Sequence, residues 1–217
     1  MSMKRAFSIV LILALCLTFN SSTVFAAEAD CDLNTINITS VDSENFVYLS
    51  GFENALYYNA TMFTQSQGGN NCGPTAAANV LSYYKGAKGL NLYSGNITQS
   101  LYDQICSDCG YSSSGAGSSY TSVANGIKSF ANRAGYSCNV DKYLLNLFSD
   151  IKRDINRGYP IIMINNDHMY VILGYSEGGS NGNCIYVCTG WESNMFQWIK
   201  YDPTTPYSVT LGAVNIY

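Results

Sequence analysis

The sequence predicts an α+β fold on three observations. Apolar residues recur at helical spacing between Cys72 and Gly158, short β-rich runs fill the chain beyond Gly158, and helices and strands do not alternate. A helical first half followed by an antiparallel sheet is the layout this order favours. The 217 residues suit one globular domain with room for a targeting segment. With 47% hydrophobic and 12% charged residues, and only four prolines, the chain is neither disordered nor a low-complexity linker. A net charge of -4 gives no electrostatic reason to expect nucleic acid. One histidine excludes multi-histidine metal sites and any chemistry needing two imidazoles, so whatever imidazole does here falls to His168.

The elements follow in order. Lys4 and Arg5 precede an apolar run from Ala6 to Phe19, then a polar stretch and Val24-Phe25-Ala26-Ala27. This reads as a secretory signal peptide over residues 1–26, cut after Ala26, and the run is too short to span a bilayer comfortably. A mature chain of 27–217 would be a single domain, exported, and off the membrane after cleavage. Loss of Lys4 and Arg5, with no acid removed, leaves nine basic against fifteen acidic residues, a balance of -6. Residues 31–64 are polar with short β-like runs such as Phe46-Val47-Tyr48-Leu49. A helix starts at Cys72-Gly73-Pro74-Thr75, where proline in the first turn is favourable. Ala77, Val80, Leu81 and Tyr84 form its apolar stripe, and Gly86 and Gly89 end it. Further helices are expected over 98–106, 122–134 and 143–157, and strands over 159–164, 169–175, 185–189, 196–201 and 208–216.

The strongest chemical feature is Asn70-Asn71-Cys72-Gly73-Pro74-Thr75-Ala76. A cysteine at a helix start faces unpaired N–H groups and the positive end of the helix dipole, which favour a nucleophilic thiolate. The other reading of Cys72 is a disulfide partner, as for most cysteines of exported proteins. His168 opens a strand after the turn Asn165-Asn166-Asp167, about a hundred residues later. A thiolate nucleophile needs a proton carrier that works near neutral pH, and imidazole is the usual one.

These residues carry a resemblance. Asn70 to Ala76, then Gly158-Tyr159-Pro160 entering a strand, His168-Met169-Tyr170-Val171-Ile172-Leu173-Gly174-Tyr175, and Gly190-Trp191 together resemble the papain-like cysteine peptidases. Within that family the chain is most similar to bacterial secreted proteins akin to the double-glycine-leader peptidases, over residues 46–217. The resemblance implies a two-lobe fold, with the cysteine on a helical lobe and the histidine on an antiparallel sheet. It implies Cys72 as nucleophile, His168 as its base, a peptide or protein as substrate, and no cofactor or metal. It also implies an upstream glutamine for the oxyanion, either Gln67, which Gly68-Gly69 could fold back, or Gln65. Trp191 would cover the histidine. The family's histidine-orienting Asn or Asp falls at Thr189, whose hydroxyl can accept an imidazole N–H but carries no charge. Glu192 or Asn194 could substitute. The departure leaves open a weak dyad, a rearranged triad, or an inactive homologue that binds peptides; cell-wall amide hydrolysis uses the same Cys–His chemistry. Nothing in the sequence fixes cleavage specificity or oligomeric state.

After cleavage seven cysteines remain: Cys31, Cys72, Cys106, Cys109, Cys138, Cys184 and Cys188. Three disulfides plus one reactive thiol, Cys72, is the simplest account for an exported chain. Cys184 and Cys188 lie roughly 13 Å apart on one strand and would each need another partner. A zinc site from Cys106, Cys109, Cys184 and Cys188 is the lesser alternative.

Overall fold

The computed structural model describes residues 46–63, 69–111, 117–143, 147–165, 168–179, 182–192, 194–201 and 210–217. In chain order the elements are β1 (Phe46–Tyr48), a 3-10 turn (Phe52–Asn54), α1 (Cys72–Gly86), α2 (Gln99–Asp108), α3 (Tyr120–Arg133), β2 (Cys138–Val140), α4 (Phe148–Asn156), β3 (Ile161–Asn165), β4 (His168–Ser176), β5 (Cys184–Cys188), β6 (Phe196–Lys200) and β7 (Thr210–Ile216). The expected order of helices and strands is observed except for β2, which falls between two helices. The expected helix over 143–157 is shorter, starting at Phe148, and the expected signal peptide lies outside the described residues.

Among the described residues one antiparallel sheet runs β2-β7-β3-β4-β5-β6, with β1 also paired to β4. β3 and β4 form a hairpin in which Asn165 pairs His168 and Ile161 pairs Ile172. Beyond Ile161, where β3 starts, β1 pairs the rest of β4, with Phe46 opposite Ser176 and Tyr48 opposite Gly174. The absence of a side chain at Gly174 matters here: a Cβ would meet Val47 O at 2.7 Å and Tyr48 Cδ1 at 3.0 Å. Aromatic rings then fix β1 in place. Phe46 stacks on Trp198 at 4.7 Å, and Tyr48 meets Tyr186 edge-on at 5.1 Å. Such pairs add about 0.5–1.5 kcal/mol each beyond the area they bury.

α1 exceeds the apolar stripe read from the sequence. Every residue from Gly73 to Tyr84 is buried, including Thr75, Asn79 and Ser82. Burial of polar groups without partners is costly, and each of these is paired. Thr75 Oγ1 lies 2.9 Å from Tyr102 Oη, and Ser82 Oγ 2.8 Å from Tyr93 Oη. Asn79 accepts from Tyr58 N at 2.7 Å and donates to Tyr58 O at 3.0 Å. A helix apolar on one stripe thus becomes the centre of the molecule, lying against β4 on one side and α3 on another. α2 and α3 start on serine and threonine caps: Thr98 accepts from Leu101 N, and Ser119 from Ser122 N.

Among the described strands, β2 alone carries no signal in the sequence. Three residues from the helical half pair with β7 at the C-terminus, Cys138 opposite Ile216 and Val140 opposite Val214. Gly212 makes the join fit, because a Cβ there would overlap Tyr120 Oη, which donates to Asp141 O at 2.5 Å.

Candidate active site

Three short segments meet around the first turn of α1. Upstream, Asn70 adopts φ 62, a conformation asparagine tolerates better than most residues. Gly117 packs so closely on it that a Cβ would lie 2.9 Å from Asn70 O, while Tyr111 Oη donates to Gly69 O at 3.0 Å. The approach to Cys72 is therefore fixed from two sides. Asn71 occupies the N-cap, yet its side chain makes no cap bond. Its amide donates instead to Ala60 O at 2.9 Å and to Tyr102 Oη at 3.2 Å. No cap side chain then screens the positive helix end beside Cys72, which is half-buried.

Gly73 brings the helix start to the strand that carries the histidine. A Cβ on Gly73 would lie 2.9 Å from Val123 Cγ2, 3.0 Å from Ser118 Cβ and 3.5 Å from Met169 Cε. The residue after the cysteine thus packs against the residue after His168. One turn along the helix, Thr75 meets Gly190, whose added Cβ would lie 3.0 Å from Thr75 Cγ2. Ala60 links this third segment to the N-cap, donating from its N–H to Gly190 O at 2.7 Å and accepting from Asn71 at its carbonyl.

His168 is 7% exposed and lies under Trp191, ring centres 4.7 Å apart and planes at 18°. The covering tryptophan implied by the resemblance is therefore in place. Tyr170 flanks the imidazole at 5.8 Å. His168 Nε2 lies 2.7 Å from the main-chain oxygen of Thr189. A carbonyl oxygen only accepts, so Nε2 carries the hydrogen, and in the neutral ring Nδ1 holds the free lone pair. Burial pushes the His168 pKa below its ordinary 6.5, opposed by the bond to Thr189.

The orienting partner differs from each of the side chains expected for it. The Thr189 hydroxyl does not reach the imidazole; it donates to Asn194 O at 2.7 Å and accepts from Trp191 N at 3.0 Å. Glu192 accepts from Thr61 Oγ1 at 3.2 Å, and Asn194 takes part through its main chain. Sequence patterns single out side chains, and a backbone acceptor leaves no residue signature, so this partner could not have been read from the chain. The same applies to Tyr102, which ties Asn71 to Thr75 beneath the helix start and is marked by no motif. Gln67 and Gln65 lie outside the described residues.

The cysteines correct a second expectation. No disulfide joins any two of the described cysteines, so the three-disulfide arrangement is not observed. Cys106 lies beside Tyr102, and Cys109 Sγ lies 2.8 Å from where a Gly126 Cβ would be. Cys188 accepts from Asn79 Nδ2 at 3.4 Å, while Cys184 sits opposite Lys200 at the other end of β5. Burial raises the thiol pKa of all four, to about 12 for Cys106 and Cys188, which keeps them protonated and unreactive. Among the described residues, no three His, Cys, Asp or Glu side chains converge as a metal site would require, so the zinc alternative is not assembled.

Comparison with known proteins bears on the family and the fold. The Peptidase_C39 like family matches residues 57–205, more than half of the chain. No curated protein matches. Among solved structures, the crystal structure of UfSP from C. elegans superposes with a TM-score of 0.54 at 9% identity, over 82% of this chain. The chain spans about a third, 35%, of that protein's length. A double glycine motif protease from an AMS/PCAT transporter, solved in complex with the leader peptide, matches with a TM-score of 0.46 at 18% identity. That alignment covers 79% of this chain and 99% of the protease. The chain belongs to the Peptidase_C39 like family, and its mixed helices and antiparallel sheet form a papain-like cysteine-peptidase fold.

Proposed function

We propose that the protein is a cysteine peptidase that hydrolyses peptide bonds with Cys72 as nucleophile and His168 as general base and acid. The observation that supports the reading is the 2.7 Å bond from His168 Nε2 to Thr189 O, which leaves Nδ1 with the lone pair a general base needs. In the proposed reaction Nδ1 takes the Cys72 proton as sulfur attacks the substrate carbonyl carbon. The tetrahedral intermediate collapses, the carbon–nitrogen bond breaks, and the leaving amine receives that proton. Water, deprotonated by His168, then hydrolyses the thioester and restores the thiol. The helix N–H groups beside Cys72, with Gln67, are proposed to hold the oxyanion. Residues 1–26 are proposed to direct export, on the basic, apolar and small-residue pattern of that segment.

Alkylation tests the pair directly. Iodoacetamide at pH 7 is expected to modify Cys72 ahead of the buried thiols, as mapped by peptide mass. In His168→Ala the rate should fall by about 10²-fold or more. Equal rates in the two proteins would leave the inactive peptide-binding homologue as the better reading.

A further inference from the structure

We infer that the Thr189 hydroxyl is a positioning group that makes its own main-chain carbonyl the third member of the catalytic set. This rests on the Cys72–His168 reading and adds to it how this chain works without the family's Asn or Asp.

Every polar atom of Thr189 is engaged. Its N–H donates to Met195 O at 2.8 Å, its hydroxyl donates to Asn194 O at 2.7 Å and accepts from Trp191 N at 3.0 Å, and its carbonyl accepts from His168 Nε2. The hydroxyl therefore closes the loop after β5 from both ends, one bond to each limb. That loop fixes two things His168 depends on, the direction of the Thr189 carbonyl and the placement of Trp191 over the ring. Thr189 is 1% exposed, so water cannot take over the hydroxyl's two bonds if it is lost. An Asn or Asp at this position would present a side-chain oxygen to the imidazole. Here the side chain is spent on the loop, and the main chain supplies the oxygen. A carbonyl is uncharged and stabilises imidazolium less than a carboxylate, so the pair should rest as neutral thiol and imidazole with the proton moving when substrate is bound.

The chain's one histidine makes the test clean, because ¹⁵N-histidine labelling of the full protein gives a single imidazole spectrum. The wild type should show the Nε2–H tautomer at pH 7.5. Thr189→Val, which keeps the shape and removes the hydroxyl, should lose that fixed tautomer and slow Cys72 alkylation by about 10- to 100-fold, with a changed pH profile. Thr189→Ser, which restores the hydroxyl, should recover most of the lost rate. An Nδ1–H tautomer in the wild type overturns the inference without any variant, as does Thr189→Val with wild-type tautomer and pH profile. Should Thr189→Val fail to fold, Thr189→Ser decides: an unfixed tautomer in that folded variant overturns it. Failure of the underlying reading looks different, since His168→Ala would then alkylate at the wild-type rate.

Discussion

A carbonyl oxygen in place of a carboxylate changes how His168 responds to acid. Its folded pKa lies below the unfolded value of 6.5 because burial under Trp191 opposes the charged ring. Between those two values the unfolded chain binds the proton and the folded one does not. Stability therefore rises with pH through that window and falls as pH drops below 6.5, by at most about 1.4 kcal/mol per pH unit for one proton. Urea midpoints at pH 7.5 and 5.5 should separate more in the wild type than in His168→Gln, and equal separations would contradict the buried, neutral ring. The residue scale is also where the sequence was most and least informative. Cys72 and His168 stand out by type and by position, one at a helix start with Pro74 and the other at a strand start after a turn. Thr189 stands out only as a departure, because its contribution is an atom every residue has.

At the scale of elements, α1 decides where the cysteine lies, and hydrogen bonds as much as apolar contacts hold it. Asn79 uses both ends of its amide on Tyr58, with a further bond to Cys188 Sγ. Truncation in Asn79→Ala would strand the N–H and C=O of a buried residue, at a cost of about 2–4 kcal/mol. Urea unfolding should record that loss, and a cost below about 0.5 kcal/mol would mean that the segment before the helix is held by something else. The helix itself was legible because Pro74 opens it and Gly86 closes it. Its burial on all sides was not, since no motif marks Tyr102, Tyr58 and Tyr93 as the partners of Thr75, Asn79 and Ser82. β2 was hidden for a related reason. Three residues carry too little periodicity to register, and their strand character comes from pairing with β7 at the opposite end of the chain.

Over the whole molecule, the sheet collects its strands from everywhere: β1 near the start of the described chain, β2 from the helical half, and β7 from the end. Gly73 and Gly190 are two points at which segments pack tightly near Cys72, and both approaches need a missing Cβ. A helix-then-sheet order could be read from periodicity, but such long-range pairings could not. The described cysteines also depart from the sequence expectation. Export argued for disulfides, whereas Cys106, Cys109, Cys184 and Cys188 are buried as free thiols. Peptide-bond cleavage through Cys72 and His168 can be read directly from its products. Full-length wild type, Cys72→Ala and His168→Ala are each incubated with a diverse mixture of synthetic peptides, and new termini are identified by mass spectrometry. New termini from the wild type, absent with Cys72→Ala and at least about 10²-fold slower with His168→Ala, are the result predicted. Cleavage that survives in Cys72→Ala, or a folded wild type that cuts none of the peptides, would contradict it.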